Sequence, residues 1–421
     1  MLRRALNLAR MRRNDARTAA ALAAHQRRLL QGLVQHAQAR VPFYRDLYAT
    51  RGVRAPAIRE LADLQSLPLI DKGMLRAAGA GAISLDAPAD TVSIYTSGSS
   101  GEPYRFPIDR RYDQWRKAQY LRPYLSSGRR LRDKVLRLTG QPQRRTPWFT
   151  QLGLLREWRL HCADEPSHIV DAWRRLAPDV LQGYPSALRA LAHHCLENPL
   201  TPAPRLVFTD SELLLSDTRA LLERAFGAPV FDIFGTFETD NIAYQCARRE
   251  GYHIAADSVI LEIVREGKVV PVGESGEIVV TVLMNRTSPF IRYNLGDIGR
   301  LSAQPCPCGL ALPLLAVVEG RANELLTLPD GRHCTPQGIF SRLNNFAGTI
   351  RQYQLRQTSS GAFELFIVPA RPLSGADLEA IVAAMRSTLA GSVIEPRVVE
   401  HIPPDPSGKR RLFIPAGRRP S

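Results

Sequence analysis

Lysine is scarce in this chain. Only Lys72, Lys117, Lys134, Lys268 and Lys409 occur among 56 basic residues in 421, and the other 51 are arginine. Those arginines are scattered singly and in pairs, with no aromatic-interleaved stripe and no nucleic-acid motif. The net charge of +16 therefore reads as arginine-rich composition suited to anionic small substrates, and no nucleic-acid partner is expected. Long apolar runs are missing too. None approaches the ~20 residues a membrane span needs, so no membrane association is expected. Leu2 to Arg13 carries five arginines without a signal-peptide core and reads as a solvated basic helix. Cysteine is sparse, six in all, which argues against a disulfide framework and for a reducing, cytoplasmic setting.

What is present supports a layered α/β protein. The length suffices for two or three domains, and 44% hydrophobic content for sizeable cores. Residues 16–40 have helical spacing and end at Val41-Pro42-Phe43-Tyr44-Arg45. From there to about 240, helical stretches alternate with short apolar strands such as 135–138, 205–208 and 230–234. From 251 onward the texture turns to β, with strands at 258–265 and 276–283 and turns at Arg265-Glu266-Gly267-Lys268 and Val272-Gly273-Glu274-Ser275-Gly276. The last hundred residues mix strands (353–357, 362–368) with one helix at 375–390. The expected architecture is a large multi-layer α/β N-terminal domain with a β-rich subdomain, residues 1–320. A small, mobile α+β C-terminal domain, residues 321–421, follows it.

The stretch Tyr95-Thr96-Ser97-Gly98-Ser99-Ser100-Gly101-Glu102-Pro103 is the most informative segment. The alternating residues 91–95 read as a strand entering it. Hydroxyls and backbone amides of such a loop can surround phosphate oxygens, because glycine removes the Cβ that would block close approach. No lysine follows its second glycine, so it is not the G-x-x-x-x-G-K-[ST] loop. The other reading is a Ser/Gly surface loop.

Four further segments carry unusual chemistry. Phe231-Asp232-Ile233-Phe234-Gly235-Thr236-Phe237-Glu238 ends a strand in an aromatic-Gly-Thr turn. Its ring can stack on a purine, and its glutamate can hold magnesium through oxygen. Phe290-Ile291-Arg292-Tyr293-Asn294-Leu295-Gly296-Asp297 places Asp297 after a glycine turn, where it can accept ribose hydroxyls or cap the turn. Glu319-Gly320-Arg321-Ala322-Asn323-Glu324 precedes the C-terminal lobe. Pro403-Pro404-Asp405-Pro406-Ser407-Gly408-Lys409-Arg410 puts one of the five lysines on a Pro/Gly-rich loop. A compact ammonium bridges two oxygens better than a planar guanidinium does. Cys306 and Cys308 form a C-x-C pair, with Cys246 and His253 upstream. Such a quartet suits a closed tetrahedral zinc site, although a C-x-C turn can also be two packed thiols.

In this order and spacing the segments resemble the adenylate-forming superfamily of acyl-CoA synthetases, luciferase and peptide-synthetase adenylation domains. They are most similar to its phenylacetate–CoA ligase-like branch, which includes the coenzyme F390 synthetase and capsule-biosynthesis relatives. The resemblance covers nearly the whole chain, including the opening helix and Val41 to Arg45.

The resemblance implies a ligase that uses ATP and magnesium to convert a small, aromatic carboxylic acid to acyl-AMP and pyrophosphate, then forms a thioester with coenzyme A. An amine, a carrier-protein thiol, or a cofactor hydroxyl receiving AMP stands as the alternative acceptor. A non-catalytic binding protein and a homodimer also remain open. Ser97, Gly98, Ser99, Ser100 and Gly101 would hold the pyrophosphate end of ATP. Phe234 and Gly235, with Asp232 before them, would receive adenine. Thr236 would lie near the α-phosphate, although threonine here follows the glycine directly and Phe237 stands where threonine is common. Glu238 would bind magnesium, Asp297 and Arg321 the ribose, and Lys409 would be the catalytic lysine. Thr209-Asp210-Ser211-Glu212 is similar to the segment lining the adenine and acyl pocket, which places Ser211 there. Asn323 replaces the usual hinge Asp or Lys. The branch often carries the quartet Cys246, His253, Cys306 and Cys308 as a structural zinc site. Cys162, Cys195 and Cys334 read as ordinary thiols, and Trp148, Phe149 and Tyr184 as core aromatics or else walls of the acyl pocket.

Overall fold

The computed structural model describes residues 2–53, 58–95, 104–141, 147–198, 203–328, 333–346, 348–358, 361–389, 391–405 and 408–416. It is a mixed α/β structure made of two compact units. One comprises Met1–Ser127 and Ile233–Val318, the other Gly128–Asp232 and Glu319–Ser421. Compactness thus groups 128–232 with the residues after 318, a different partition from the expected 320/321 boundary.

The first unit begins with helices. Leu2–Asp15 is helical and largely exposed, but its end is not simply solvated. Buried Arg122 pairs with Asp15 and, at 2.6 Å, with Asp257, while Asn14 donates to Asp257 at 2.9 Å. The helix Ala19–Arg40 starts at Thr18, whose side chain accepts from the Ala21 amide, and buries Leu22, Leu30, Leu33, Val34 and Ala37 on one stripe. It stops before Pro42, which opens the next helix, Pro42–Thr50. Tyr44 then ties this segment to a distant motif. Its hydroxyl donates to the Pro289 carbonyl at 2.8 Å and accepts from the Ile291 amide at 3.0 Å. The Pro42-Phe43-Tyr44 segment is thus anchored to the chain just before the Asp297 strand.

The β texture after 251 is an antiparallel array. Lys268–Val269, Val259–Arg265, Ser275–Val282, Tyr293–Leu301, Leu314–Arg321, Tyr252–Ile254 and Asp240–Tyr244 neighbour one another in that order. Arg265 pairs with Lys268, and Glu266 and Gly267 both have positive φ, the geometry a two-residue hairpin turn needs.

In the second unit Glu157–His161, Val135–Thr139, Val180–Gly183 and Leu206–Asp210 run parallel. Val135–Thr139 and Val180–Gly183 are buried throughout, as a helix-covered parallel sheet requires. Helices Pro166–Leu176, Pro185–Glu197 and Ser216–Phe226 share that core through Trp173, Leu188 and Leu222. The C-terminal residues build a sheet in the order Ile394–Val398, Phe363–Pro369, Ile350–Gln357, Phe413–Ile414. The helix Gly375–Thr388, begun by a Ser374/Asp377 capping box, packs on its core through Ile381 and Met385. Phe149 and Tyr184 are core residues as expected. Trp148 is not. It is 65% exposed at the start of a short 3-10 turn, where its ring meets Phe149 edge-on.

Candidate functional site

The Ser/Gly loop, with Ser97, Gly98, Ser99, Ser100 and Gly101, lies outside the described residues. Its frame is described: Thr91–Tyr95 pairs antiparallel with Arg105–Asp109, so the expected strand enters the loop and a partner leaves it.

The aromatic-Gly-Thr segment is the end of the strand Val230–Thr236. A Cβ on Gly235 would lie 2.3 Å from the Asp240 carbonyl oxygen, so only glycine fits this close approach of two strands. The pairing shifts between Phe234 and Gly235, a bulge that turns the following residues. Phe234 and Thr236 are half-buried, and Thr236 Oγ1 lies 3.0 Å from Thr239 Oγ1. Glu238 is buried and held by two groups. Lys72 Nζ lies 2.9 Å from its Oε1, and the Tyr293 hydroxyl donates to the same oxygen at 3.2 Å. Burial, then the Glu238 charge, pushes Tyr104 up to about 12.

Asp297 is buried on the strand Tyr293–Leu301, not after a turn. Residues 295–297 bulge out between two registers, Asn294 opposite Val279 and Ile298 opposite Glu277. Gly296, at φ 72°, supplies the kink, so the glycine bends a continuing strand and re-aims Asp297.

The second unit holds the other expected residues. Asp232 is buried and accepts from Thr209 Oγ1. Ser211 has φ 70°, a conformation uncommon outside glycine, and donates to Asp210 Oδ1 at 2.8 Å. That kink separates two carboxylates. Asp210 faces Arg137 at 3.1 Å and Gln182 Nε2 at 2.8 Å, while Glu212 turns to Ser186, accepting from its amide at 2.9 Å and its hydroxyl at 3.0 Å. Arg321 ends the strand Leu314–Arg321. Lys409 stands beside these groups, its ammonium 5.8 Å from the centre of the Tyr184 ring. Burial lowers its pKa, Glu212 opposes this, and Arg321 lowers it further. Burial raises Glu212, and donors from Ser186 and Arg410 work against that rise.

The quartet converges. Donor atoms of Cys246, His253, Cys306 and Cys308 all lie within 4.8 Å of one another. Cys246 Sγ is 3.6 Å from Cys306 Sγ, and Cys308 Sγ is 3.2 Å from His253 Nε2. Zinc–sulfur and zinc–nitrogen bonds of about 2.3 and 2.0–2.1 Å give tetrahedral edges of about 3.5–3.8 Å, so these residues fit the ion. All six cysteines are free thiols. Burial first, then Arg122, holds His253 down to about 4, which leaves the neutral ring that binds metals. Burial pushes Cys306 up to about 12 without a cation, a preference that a bound divalent ion reverses.

Sequence reasoning passed over three residues. Lys72 carried the same signal as Lys409, a lysine in an arginine-rich chain. Glu212 was read only as part of a pocket-lining segment. Cys162, read as an ordinary thiol, donates to the Gly408 carbonyl at 3.2 Å, next to Lys409. The last two contacts join residues about 200 or more apart in the chain, and no local pattern announces them.

No family model matches the chain. It is 26% identical over 328 residues to a phenylacetate-coenzyme A ligase of Aromatoleum evansii, covering 73% of this chain and 72% of that protein. It is 27% identical over 329 residues to the phenylacetate-coenzyme A ligase of Pseudomonas putida, with the same coverage. The crystal structure of 2-hydroxyisobutyryl-CoA ligase in the postadenylation state, in complex with R3-HIB-AMP, superposes with a TM-score of 0.81. That match has 21% identity and covers 96% of this chain and 91% of the other. The chain therefore has the fold of that CoA ligase. The curated relatives in sequence are phenylacetate–CoA ligases, in agreement with the resemblance of the motifs.

Proposed function

We propose that this chain is an AMP-forming acid–CoA ligase. In the first half-reaction the carboxylate of a small acid attacks the α-phosphorus of ATP. The bond to the β-phosphate oxygen breaks, giving acyl-AMP and pyrophosphate. In the second, the sulfur of coenzyme A attacks the acyl carbon, AMP departs and the thiol proton passes to solvent. The names of the curated relatives support an aromatic acid.

The single observation that carries this reading is Lys409, a lysine whose ammonium is drawn from water beside Tyr184 and Glu212. It would stabilise charge developing on the phosphate oxygens. Asp297 and Arg321 would bind ribose, Phe234 and Gly235 adenine, with Asp232 and Ser211 beside them, and Thr236 the α-phosphate. Residues 97–101 would hold the leaving pyrophosphate. Glu238 offers a hard carboxylate oxygen, the donor magnesium prefers, and the ion would neutralise phosphate charge there. Cys246, His253, Cys306 and Cys308 would hold a structural zinc.

Residues 321–421 would act as the mobile lobe, presenting Lys409 for adenylation and then turning to admit coenzyme A. No helix among the described residues is long and apolar enough to cross a membrane, and the free thiols support a cytoplasmic enzyme. Acid-dependent ATP–pyrophosphate exchange against a panel of acids, with and without coenzyme A, tests the reading. If no acid in the panel supports exchange, adenylation is refuted. Acyl-AMP persisting in the presence of coenzyme A would refute the thioester step.

A further inference from the structure

The loop that carries Lys409 is built to be held from outside the C-terminal sheet. Within the loop, the Lys409 amide donates to Asp405 Oδ1 at 3.1 Å, and the Gly408 amide donates to the Asp405 carbonyl at 2.8 Å. Its downstream end joins the sheet, where the Leu355 amide donates to the Leu412 carbonyl at 2.8 Å. Hydrogen bonds also reach back to residues that precede the C-terminal sheet. The Arg410 amide donates to Glu212 Oε1 at 2.9 Å, and Cys162 donates to the Gly408 carbonyl. Glu212 is itself fixed at the N-terminus of the helix Pro185–Glu197 by the Ser186 amide and hydroxyl, where the helix dipole favours an anion. Gly408 has φ 81°, and a Cβ there would lie 2.3 Å from Cys162 Sγ.

We infer that Glu212 is a positioning residue, a latch that grips the backbone next to Lys409 and so aims the ammonium for the adenylation half-reaction. The inference rests on the acid–CoA ligase reading. A charge-assisted bond to a backbone amide fixes the chain whatever side chain follows, and it places the grip one residue from the catalytic group. Releasing that amide frees the loop for the second half-reaction. Glu212 therefore serves acyl-AMP formation and not thioester formation. It touches neither phosphate nor acid in this role.

The test uses the full-length protein and two variants, Glu212→Ala and Gly408→Ala. The second drives a methyl group into Cys162 and lifts the loop by another route. Two half-reactions are measured separately: pyrophosphate exchange, and thioester formation from supplied acyl-AMP and coenzyme A. In each variant exchange should fall at least about tenfold more than thioester formation, since misplacement by about an ångström costs on the order of a hundredfold in a positioned reaction. Hydrogen exchange of the 408–412 segment is measured on the same proteins without substrate, and its protection should fall while that of Pro185–Glu197 persists. Equal loss of both half-reactions, unchanged exchange, or loss of protection throughout the unit would overturn the latch. If the unaltered protein shows no acid-dependent exchange but the loop loses protection in the variants, the ligase reading fails and the grip stands.

Discussion

Lys72 and Glu238 form an ion pair of 2.9 Å between a half-buried ammonium and a buried carboxylate, 166 positions apart in the chain. Lys72 opens the helix Lys72–Ala78 behind Asp71, whose side chain accepts the Met74 amide, so the cap sets where the lysine begins. Tyr293 donates to the same carboxylate oxygen. The pair and the tyrosine hold a buried negative charge in place.

Lys72→Ala should leave that carboxylate with one neutral partner. Because Lys72 is partly solvated, the expected cost is about 1–3 kcal/mol, below that of a fully buried pair. Urea denaturation measures it. Lys72→Ala/Glu238→Gln should recover part of the loss, and a double variant no better than Lys72→Ala would contradict the pairing.

Lys409→Ala should lower pyrophosphate exchange by at least about a hundredfold, near 2.7 kcal/mol, while nucleotide binding by calorimetry changes little. Lys409→Arg should not restore the rate, because a planar fork cannot replace a compact ammonium. Full activity in Lys409→Arg would remove the lysine from the mechanism.

Purified protein should contain about one zinc per chain, and a chelator should lower its melting temperature as the closed site empties. Cys306→Ser should lose both the metal and the chelator response. A metal-free protein with the same melting temperature before and after chelation would return the quartet to packed thiols.

His193 is buried on the helix Pro185–Glu197, and burial, then Arg189, Arg351 and Arg224, holds it down to about 3. The unfolded chain binds its proton near 6.5, so folding is favoured above that pH, and this contribution is lost as pH falls from about 6.5 towards 3. Denaturation midpoints should decline over that window, and His193→Leu should flatten the decline. An unchanged slope in His193→Leu would assign the loss to other groups.

Local chemistry made much of the fold legible. The apolar run at 135–138 appears as Val135–Thr139, and the alternation at 362–368 as Phe363–Pro369. Arg265 to Lys268 is a hairpin because Glu266-Gly267 suits its turn. Asp297 misled, since a glycine followed by an aspartate reads as a turn. Whether such a glycine ends a strand or bulges it depends on the partner strand, Ser275–Val282, which lies outside any local window.

The sequence by itself determined the kinds of group available. They are a lysine kept among arginines, a glycine between an aromatic ring and a threonine, an aspartate after a glycine, and three thiols and an imidazole in two clusters. These depend on residue type and short spacing, which the chain carries openly. Tertiary structure alone decided which groups meet. Lys72 with Glu238, Glu212 with the amide beyond Lys409, and Cys246 and His253 with Cys306 and Cys308 are contacts between distant segments. Such pairs form because strand order and helix packing bring their backbones together, and burial then makes each partner costly to leave alone.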